Sequence, residues 1–209
     1  RRKKSAELTV HQVLKPSPGK VKKQPYFIPI SMALLGENGK EMDLEVSGGV
    51  KIRDGVMAVA ERTTNFKFTG VTSRPVPSLL RGFSAPVTVT MSLSDQDLAF
   101  LMHHDSDLFN RWQASNAYTT RSIIGLLDSK RPKSVVGSKS AKLADALRYA
   151  LRDRELDDAY KAELLKLPSV ADIAREKASR VDHEGIYNAH RLFSRTVGDK
   201  LADDLETLY

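Results

Sequence analysis

Two neighbouring histidines are the first residues in the sequence whose types could bind a metal ion or move a proton. His103 and His104 stand in the string HHDSD, which also holds Asp105 and Asp107. Successive side chains on a helix point about 100° apart, so two adjacent imidazoles do not converge on one metal ion. Histidines at a helix C-terminus are favoured by the negative end of the helix dipole. The string therefore predicts a polar helix end.

A second string, HEGIYNAH at 183–190, begins like the metal-binding helix pattern HExxH. That pattern places two imidazoles one turn apart, with the glutamate acting on the bound water. Here Tyr187 occupies the position that must be histidine, and His190 follows His183 by two turns, which is too far to complete the same site. The string predicts a helix N-terminus with Glu184 in its first turn.

No other motif for catalysis is present in the sequence. The G-x-S-x-G, Walker and G-x-G-x-x-G patterns are all absent. The acidic pairs Asp157-Asp158 and Asp203-Asp204 have no partner carboxylate at a defined position, and we interpret them as solvated charge. Trp112 falls in a helical stripe, where burial is expected. The residues themselves therefore predict no catalytic residue, no cofactor-binding residue and no metal ligand.

The net charge of +7 is concentrated at one end of the chain. Residues 1–23 hold eight Lys and Arg against Glu7, and the other 186 residues are formally neutral, with 25 basic and 25 acidic side chains. A basic end segment without interleaved aromatic residues is weak support for a nucleic-acid surface. We expect no nucleic-acid partner, and we keep binding through residues 1–23 as an alternative that added salt would test.

The bulk composition predicts a folded protein without a membrane partner. Of the 209 residues, 41% are hydrophobic and 28% are charged, and no run approaches the ~20 apolar residues that a membrane span needs. The basic opening residues are not followed by the apolar stretch of a signal peptide. Cysteine is absent, which excludes disulfides and agrees with a reducing compartment. We expect a cytoplasmic location.

Between about residues 8 and 92 the apolar residues recur with period two, which is typical of strands with one buried face. The clearest segment, 26–34, leads through Glu-Asn-Gly-Lys into a second alternating segment at 42–46. Asn38-Gly39 is the pair that a tight primed turn needs, because both central residues take a positive φ. Further strands are predicted near 8–13, 56–60, 64–69 and 85–91. This pattern predicts an antiparallel β-sandwich.

From Ser94 onward the period becomes helical. Ser94 and Asp97 have the spacing of a capping box, and a second helix is predicted from near Asp107 to before Pro132. A third helix is expected after a loop at 137–140. Three more helices are predicted. The first ends at Pro168, the second begins with the capping pattern Ser169–Asp172, and the third begins near Asp182. We therefore predict two domains, the sandwich at 1–93 and an array of antiparallel helices at 94–209.

The strings VPSLLRGFSAPV (76–87) and LAFLMHHDSDLFNRWQA (98–114) resemble the bacterial aminopeptidase N family of zinc metallopeptidases. LTVHQVLKPSPG, QPYFIPISMALLGENGKEM and LLKLPSVADIA are similar to the same family and occur in the family's order, from about Leu8 to Leu208. The resemblance implies that the sandwich is immunoglobulin-like and that the helices open a large C-terminal helical domain. It also implies that this chain is a piece of a longer polypeptide.

The family's catalytic domain carries HExxH, a further glutamate ligand and G-x-M-E-N, and neither motif occurs in this sequence. No zinc ligand or catalytic residue is therefore carried over to this chain. The resemblance implies a non-catalytic segment of a metallo-aminopeptidase that serves as a spacer and as part of the wall of the active-site chamber. Zinc and peptide substrates would belong to the parent enzyme. The implied partners are the upstream catalytic domain and the rest of the helical domain.

A stand-alone module that binds a protein or a glycan, without enzymatic activity, is the alternative from another functional class. The stretch 76–87 could form an interface under either hypothesis, the aminopeptidase segment or the binding module. Its Leu79, Leu80 and Phe83 place large apolar side chains on both faces of an extended chain. One face would serve the sandwich core, and the other would need a second partner. We hypothesise that this partner is a neighbouring domain, with Arg81 as a polar anchor of the interface.

Overall fold

The chain forms two compact units in the computed structural model. The first unit is Arg1–Ser92 with His104–Asn110, and the second is Leu93–His103 with Arg111–Tyr209. The structure describes residues 4–14, 23–43, 45–47, 52–53, 55–130, 132–177 and 181–208. Residues 1–3 and 15–22 of the basic segment 1–23 lie outside these residues, and they include six of its eight Lys and Arg. The domain boundary at 93/94 stays a prediction.

The strand-rich unit contains two antiparallel sheets. Three strands in the order β1-β6-β3 form one sheet, and four strands in the order β4-β5-β2-β7 form the other. The strands are β1 (Lys4–His11), β2 (Ile28–Leu35), β3 (Glu45–Ser47), β4 (Ile52–Arg53), β5 (Val56–Val59), β6 (Thr63–Val71) and β7 (Val76–Leu79). Every β2 residue from Ile30 to Leu35 except Ser31 is buried.

One hydrophobic core joins the two sheets. Its buried side chains come from the four-stranded sheet and from β6 of the three-stranded sheet, which is the arrangement of a sandwich. The members are Ile30, Met32, Leu34, Met57, Val59, Phe66, Phe68 and Val71. Because alternate residues of each strand point to one face, the period-two pattern of the sequence already identifies most of these side chains.

The turn after β2 differs from the predicted one. Gly39 N donates to Gly36 O at 2.8 Å and Gly36 N donates to Lys40 O at 2.9 Å, so three residues form the loop. Gly39 has φ of 75°, whereas Asn38 does not have a positive φ. The loop is thus a turn followed by one left-handed glycine, and the predicted primed turn is wrong. After Met42 N bonds to Leu34 O, the chain leaves the hairpin, and β3 pairs with β6 in the other sheet.

The strand predicted at 85–91 is also wrong, because these residues pair with no strand that the structure describes and are largely exposed. The strand lies earlier, at β7, where Met32 to Leu35 of β2 pair with Leu79 to Val76. Pro77 is tolerated there because β7 is the edge of its sheet, where a missing N–H faces no neighbouring strand.

The second unit is helical. The last residue of its first helix, His104, and the first three residues of its second helix, 108–110, belong to the first unit. The helices are α1 (Asp95–His104), α2 (Leu108–Leu127), α3 (Pro132–Arg152), α4 (Asp158–Leu165), α5 (Val170–Lys177) and α6 (His183–Leu208). The predicted loop at 137–140 is wrong, since α3 already begins at Pro132. Proline is favoured in the first turn of a helix, where its missing N–H breaks no bond.

Both predicted capping boxes are present. Asp97 N donates to Ser94 Oγ at 3.1 Å, and Ser94 N donates to Asp97 Oδ2 at 3.0 Å. Asp172 N donates to Ser169 Oγ at 3.2 Å. These bonds satisfy backbone donors that a helix start leaves open. Within the described residues, no helix is long and apolar enough to cross a membrane. The predicted order, a β-sandwich followed by helices, is confirmed.

Candidate functional site

The histidines that could have formed a metal site are dispersed. In the part of the chain that the structure describes, no three His, Asp or Glu side chains lie together in a way that would hold a metal ion. The His103 ring lies 5.6 Å from the Tyr149 ring. His190 Nε2 lies 3.0 Å from the carbonyl oxygen of Pro168, within hydrogen-bond distance. His103 therefore contacts α3, and His190 contacts the connection between α4 and α5, all within the helical unit.

One of the acidic residues interpreted as solvated charge is a structural ion-pair partner instead. The Asp204 side chain is 8% exposed. It accepts hydrogen bonds from Arg148 Nε at 2.8 Å and from Arg152 Nη2 at 2.7 Å, so it joins α6 to α3. The Arg148 hydrogen bond is the main cause that holds the pKa of Asp204 below its usual range. Asp157 caps α4 by accepting from Ala159 N, as expected of a helix start.

We expect Asp204→Asn to lower the melting temperature of the helical unit by several degrees at neutral pH, because both arginines lose a charged acceptor. A lowered carboxylate pKa gives stability above the usual value of 3.8, and that stability is lost as pH falls below it. The difference from wild type should therefore disappear in acid. Thermal unfolding followed by fluorescence of the single tryptophan, Trp112, measures this effect. The exposed neighbour provides the control Asp203→Asn, and an equal effect of both variants would contradict the assignment.

The helical unit also contains an open groove of about 980 Å³ between α2, α4 and α5. Trp112 lines it and is half-buried, where burial was expected. Most of its charged side chains are paired, for example Lys177 with Asp128 at 3.5 Å and Arg175 with Asp172 at 3.1 Å. We therefore assign no catalytic role to the groove.

An extended polar network lies in the strand-rich unit, around Arg81. Arg81 follows β7 in a short 3-10 turn, Arg81–Phe83. Its Nη1 donates to Glu41 Oε1 at 2.7 Å, and its Nη2 lies 3.4 Å from Asp105 Oδ1 and also bonds Ser106 Oγ. Ser106 Oγ donates to Glu41 Oε1 at 2.8 Å. One guanidinium thus ties β7, the β2 hairpin loop and the connection between α1 and α2 together.

The backbone around Arg81 is bonded to the same connection. Gly82 N donates to Asp107 Oδ2 at 2.8 Å, while Asp107 Oδ1 accepts from Asn110 N at 2.9 Å and thereby caps α2. Asn110 Nδ2 donates to Ser78 Oγ at 2.8 Å and to Leu79 O at 2.9 Å. Residues 105–110 are therefore fixed to β7 by side chains at both ends of the segment.

Burial makes this network electrostatically demanding. The Asp105 side chain is fully buried and that of Arg81 is 15% exposed, whereas Glu41 is half-exposed. Burial raises the pKa of Asp105, and its hydrogen bonds together with the charge of Arg81 oppose that rise. Hydrogen bonds from Ser106 and Arg81 lower the pKa of Glu41. Asp105 Oδ2 and Arg81 Nε are buried, and neither has a hydrogen-bond partner among the residues that the structure describes. Loss of Arg81 would leave the buried Asp105 charge without its cation, whereas loss of Asp105 would leave Arg81 paired with Glu41.

The four residues singled out from the sequence are thus placed in different surroundings. Leu79 and Leu80 are partly buried and pack against the sandwich core, and Arg81 is the centre of the polar network. Phe83 is 69% exposed and its ring contacts that of Phe109, with centroids 4.3 Å apart and planes inclined by 46°.

Sequence reasoning missed the partners of these residues. Glu41 and Asp105 lie 40 and 24 positions from Arg81, and their pairing depends on the fold. The string HHDSD predicts a polar helix end, but it also contains a signal for a contact with another element. Aspartates spaced to cap a following helix, next to an apolar Leu-Phe pair, also mark a connection that contacts another element.

Family models match both parts of the chain. Residues 95–209 match a domain of unknown function described as ARM repeats (DUF3458_C), and residues 1–92 match a domain of unknown function with an Ig-like fold (DUF3458). The first match alone covers more than half of the chain. An Ig-like description agrees with the two packed antiparallel sheets, and a repeat description agrees with the succession of helices.

Among curated proteins, the chain is 35% identical over 202 residues to aminopeptidase N of Escherichia coli K12 and 28% identical over 205 residues to aminopeptidase N of Haemophilus influenzae. Each match covers 97% of this chain and 23% of the relative. The aminopeptidase N of Caulobacter vibrioides is 39% identical over 108 residues. The chain therefore spans about a quarter of the length of the first two relatives.

A solved structure is similar over the same extent. The crystal structure of Legionella pneumophila aminopeptidase A in complex with aspartic acid matches with a TM-score of 0.73 and 27% sequence identity. The match covers 98% of this chain and 21% of that chain. Nearly every residue here thus has a counterpart in proteins that are four to five times longer.

Proposed function

Because this chain belongs to the DUF3458_C family and is homologous to aminopeptidase N over nearly its whole length, we propose that it is a non-catalytic segment of a zinc-dependent aminopeptidase. The parent would remove N-terminal amino acids from peptides. The observation that carries the proposal is the asymmetry of coverage: 97% of this chain matches, but only 23% of the relative does. The remaining length leaves ample room for a catalytic domain elsewhere.

The residues of this chain support a site outside it. Cysteine is absent from the sequence, and the described residues hold no group of three His, Asp or Glu that could bind a metal ion. Zinc needs three or four such ligands in tetrahedral geometry, so these residues do not fit it. We therefore assign zinc to the part of the parent that lies outside this chain, and we derive no catalytic step for the residues described above.

We propose a spacer and chamber-wall role for the two parts of the chain. The sandwich, assigned to 1–93, has a continuous core and would hold its neighbours at a fixed separation. The helices, assigned to 94–209, would form part of a wall that limits access to small peptides. Leu79, Leu80, Arg81 and Phe83 would serve the interface with a neighbouring domain, Arg81 by fixing the segment 105–110 in place.

The proposed partners are the upstream catalytic domain, the rest of the helical domain of the same polypeptide, and the peptide substrates of the parent. We propose a cytoplasmic location, which the complete absence of cysteine supports. A role in peptide catabolism follows from the proposed reaction.

The test compares the complete reading frame with this chain alone. We expect the complete protein to hydrolyse an aminoacyl reporter and to lose that activity with a chelator, and we expect the 209-residue chain to show neither hydrolysis nor stoichiometric zinc. Hydrolysis by the 209-residue chain that depends on metal would overturn the assignment. A start codon directly before residue 1 would instead favour the stand-alone binding module.

A further inference from the structure

The β2 hairpin loop contains a pair of residues that can react with each other. Asn38 is followed by Gly39, the one Asn-Gly pair in the sequence, and Asn38 is exposed in the loop. Asparagine is among the chemically labile residues of proteins. Its side-chain amide reacts most readily when glycine follows, because no Cβ shields the backbone nitrogen of the next residue. The loop therefore presents an electrophile and a nucleophile in adjacent residues.

The reaction is an attack of the Gly39 backbone nitrogen on the side-chain carbonyl carbon of Asn38, Cγ. A bond from this nitrogen to Cγ closes a succinimide ring, the bond from Cγ to Nδ2 breaks, and Nδ2 leaves as ammonia with the proton of the attacking nitrogen. Water then opens the ring. Cleavage of the bond to Cγ gives aspartate, and cleavage of the original peptide bond gives isoaspartate, whose main chain is one methylene longer. No oxidant or reductant is needed.

Two hydrogen bonds of the loop act on this reaction in opposite directions. Lys40 N donates to Asn38 Oδ1 at 3.1 Å, which polarises the side-chain carbonyl and provides a donor where negative charge develops during the attack. Gly39 N donates to Gly36 O at 2.8 Å, and this bond must open before the nitrogen can turn toward Cγ. Exposed loops open locally at low free energy, so the second bond slows the reaction without preventing it.

The loop has little room for a longer main chain. A Cβ on Gly39 would lie 2.3 Å from His104 Nδ1, so the backbone of Gly39 already packs closely against the imidazole. Two residues farther along, Glu41 Oε1 accepts a hydrogen bond from Arg81 Nη1 at 2.7 Å. An extra methylene directly before Gly39 would displace this residue from His104 and Glu41 from Arg81. The polar network around Arg81 would then lose its contact with the hairpin loop.

We propose that Asn38-Gly39 is a self-modification site, and that its conversion to isoaspartate releases the β2 hairpin loop from Arg81. The sandwich core survives the conversion, because its side chains lie outside the loop, and Arg81 keeps the buried Asp105 as a partner. The protein then exists in two chemical forms whose ratio reflects the time since synthesis. The reaction needs only this chain and water, so it does not depend on the proposed function.

Incubation of the 209-residue chain at mildly alkaline pH tests the site, because the attacking nitrogen loses its proton more readily there. Peptide mapping by mass spectrometry and enzymatic methylation of isoaspartate measure the conversion. Asn188 is the internal control, since it is also exposed but lies within α6 and precedes Ala189. We expect conversion at residue 38 to be several-fold faster than at Asn188. Equal rates, or a residue 38 that stays asparagine, would overturn the proposal.

Amide hydrogen exchange at Gly36 and Met42, whose N–H groups close the hairpin, tests the release of the loop. We expect exchange to become several-fold faster in the incubated wild type and to stay unchanged in incubated Asn38→Gln, whose side chain would have to close a larger ring. No change in the wild type, or an equal change in both, would contradict the release. Freshly purified Asn38→Asp has the new charge without the longer main chain. Exchange in it as fast as in the incubated wild type would overturn the role of isoaspartate.

Discussion

Arg81→Met is expected to destabilise the strand-rich unit by about 3 kcal/mol at neutral pH, the cost of removing one partner of a buried ion pair. Methionine keeps the unbranched stem of the side chain but leaves the fully buried Asp105 carboxylate without its cation. Amide hydrogen exchange in β2, β6 and β7 measures the loss, because the single tryptophan lies in the other unit. Faster exchange throughout these strands is the expected result.

The controls for Arg81→Met lie within the same unit. Lys67 forms an exposed pair with Glu7 at 3.9 Å, and Lys67→Met should cost less than about 1 kcal/mol. Adding Asp105→Asn to Arg81→Met should restore much of the loss, because the buried charge disappears. If the double variant were no more stable than Arg81→Met, the buried carboxylate would not be the cause.

Lower pH should reduce the defect of Arg81→Met. Burial already raises the pKa of Asp105 above its usual value of 3.8, and removal of Arg81 would raise it further. A carboxyl group with a raised pKa disfavours folding most strongly above that raised value, where it is charged. The penalty therefore decreases as pH falls through the raised pKa toward 3.8. A defect that stayed constant over this range would contradict the electrostatic explanation.

Gly39→Ala is expected to be the most damaging single-methyl change in the β2 hairpin loop. Its φ of 75° costs an L-residue about 1 to 2 kcal/mol. A Cβ at this position would also lie 2.3 Å from His104 Nδ1 and 2.6 Å from its Cγ. Because Cγ is near the root of the side chain, the imidazole would have to rotate as a whole, which adds about 1 to 3 kcal/mol.

Two variants separate these contributions. Gly82→Ala has a similar φ of 59°, but a Cβ added there would meet no atom of the described residues within 4 Å, so it should show the backbone cost alone. The double variant Gly39→Ala/His104→Ala should recover the steric part, as a double-mutant cycle would report. Equal losses for Gly39→Ala and Gly82→Ala, measured by denaturant unfolding of the strand-rich unit, would rule out the contact with His104.

Local signals in the sequence predicted the elements better than they predicted how the elements pair. Asn38-Gly39 marked a turn correctly, yet Gly39 alone takes the left-handed conformation, because three residues form the loop. The segment at 85–91 alternates like a strand, but no neighbouring strand among the described residues pairs with it. Periodicity indicates which face of a strand each side chain occupies. It does not specify the neighbouring strand with which the segment pairs.

The Arg81 network shows the same limit for the candidate site. Arg81 could be predicted as a polar anchor because it stands among apolar residues, but its acceptors come from two distant parts of the chain. Asp204 was missed for the corresponding reason, since the arginines that bind it lie 52 and 56 positions earlier. In contrast, the cap pairs Ser94/Asp97 and Ser169/Asp172 are three residues apart, and local spacing was enough to predict them.

The two-part composition of the strand-rich unit has a consequence for synthesis on the ribosome. Residues 104–110 complete this unit, yet they are made after β7 and after most of α1. At translation rates of about 5 to 20 residues per second, Arg81 waits on the order of seconds for Asp105. The nascent sandwich therefore stays incomplete during that interval. The last part of the strand-rich unit to be synthesised is the first turn of α2. The strand-rich unit can therefore complete its fold only after translation of the helical region has begun.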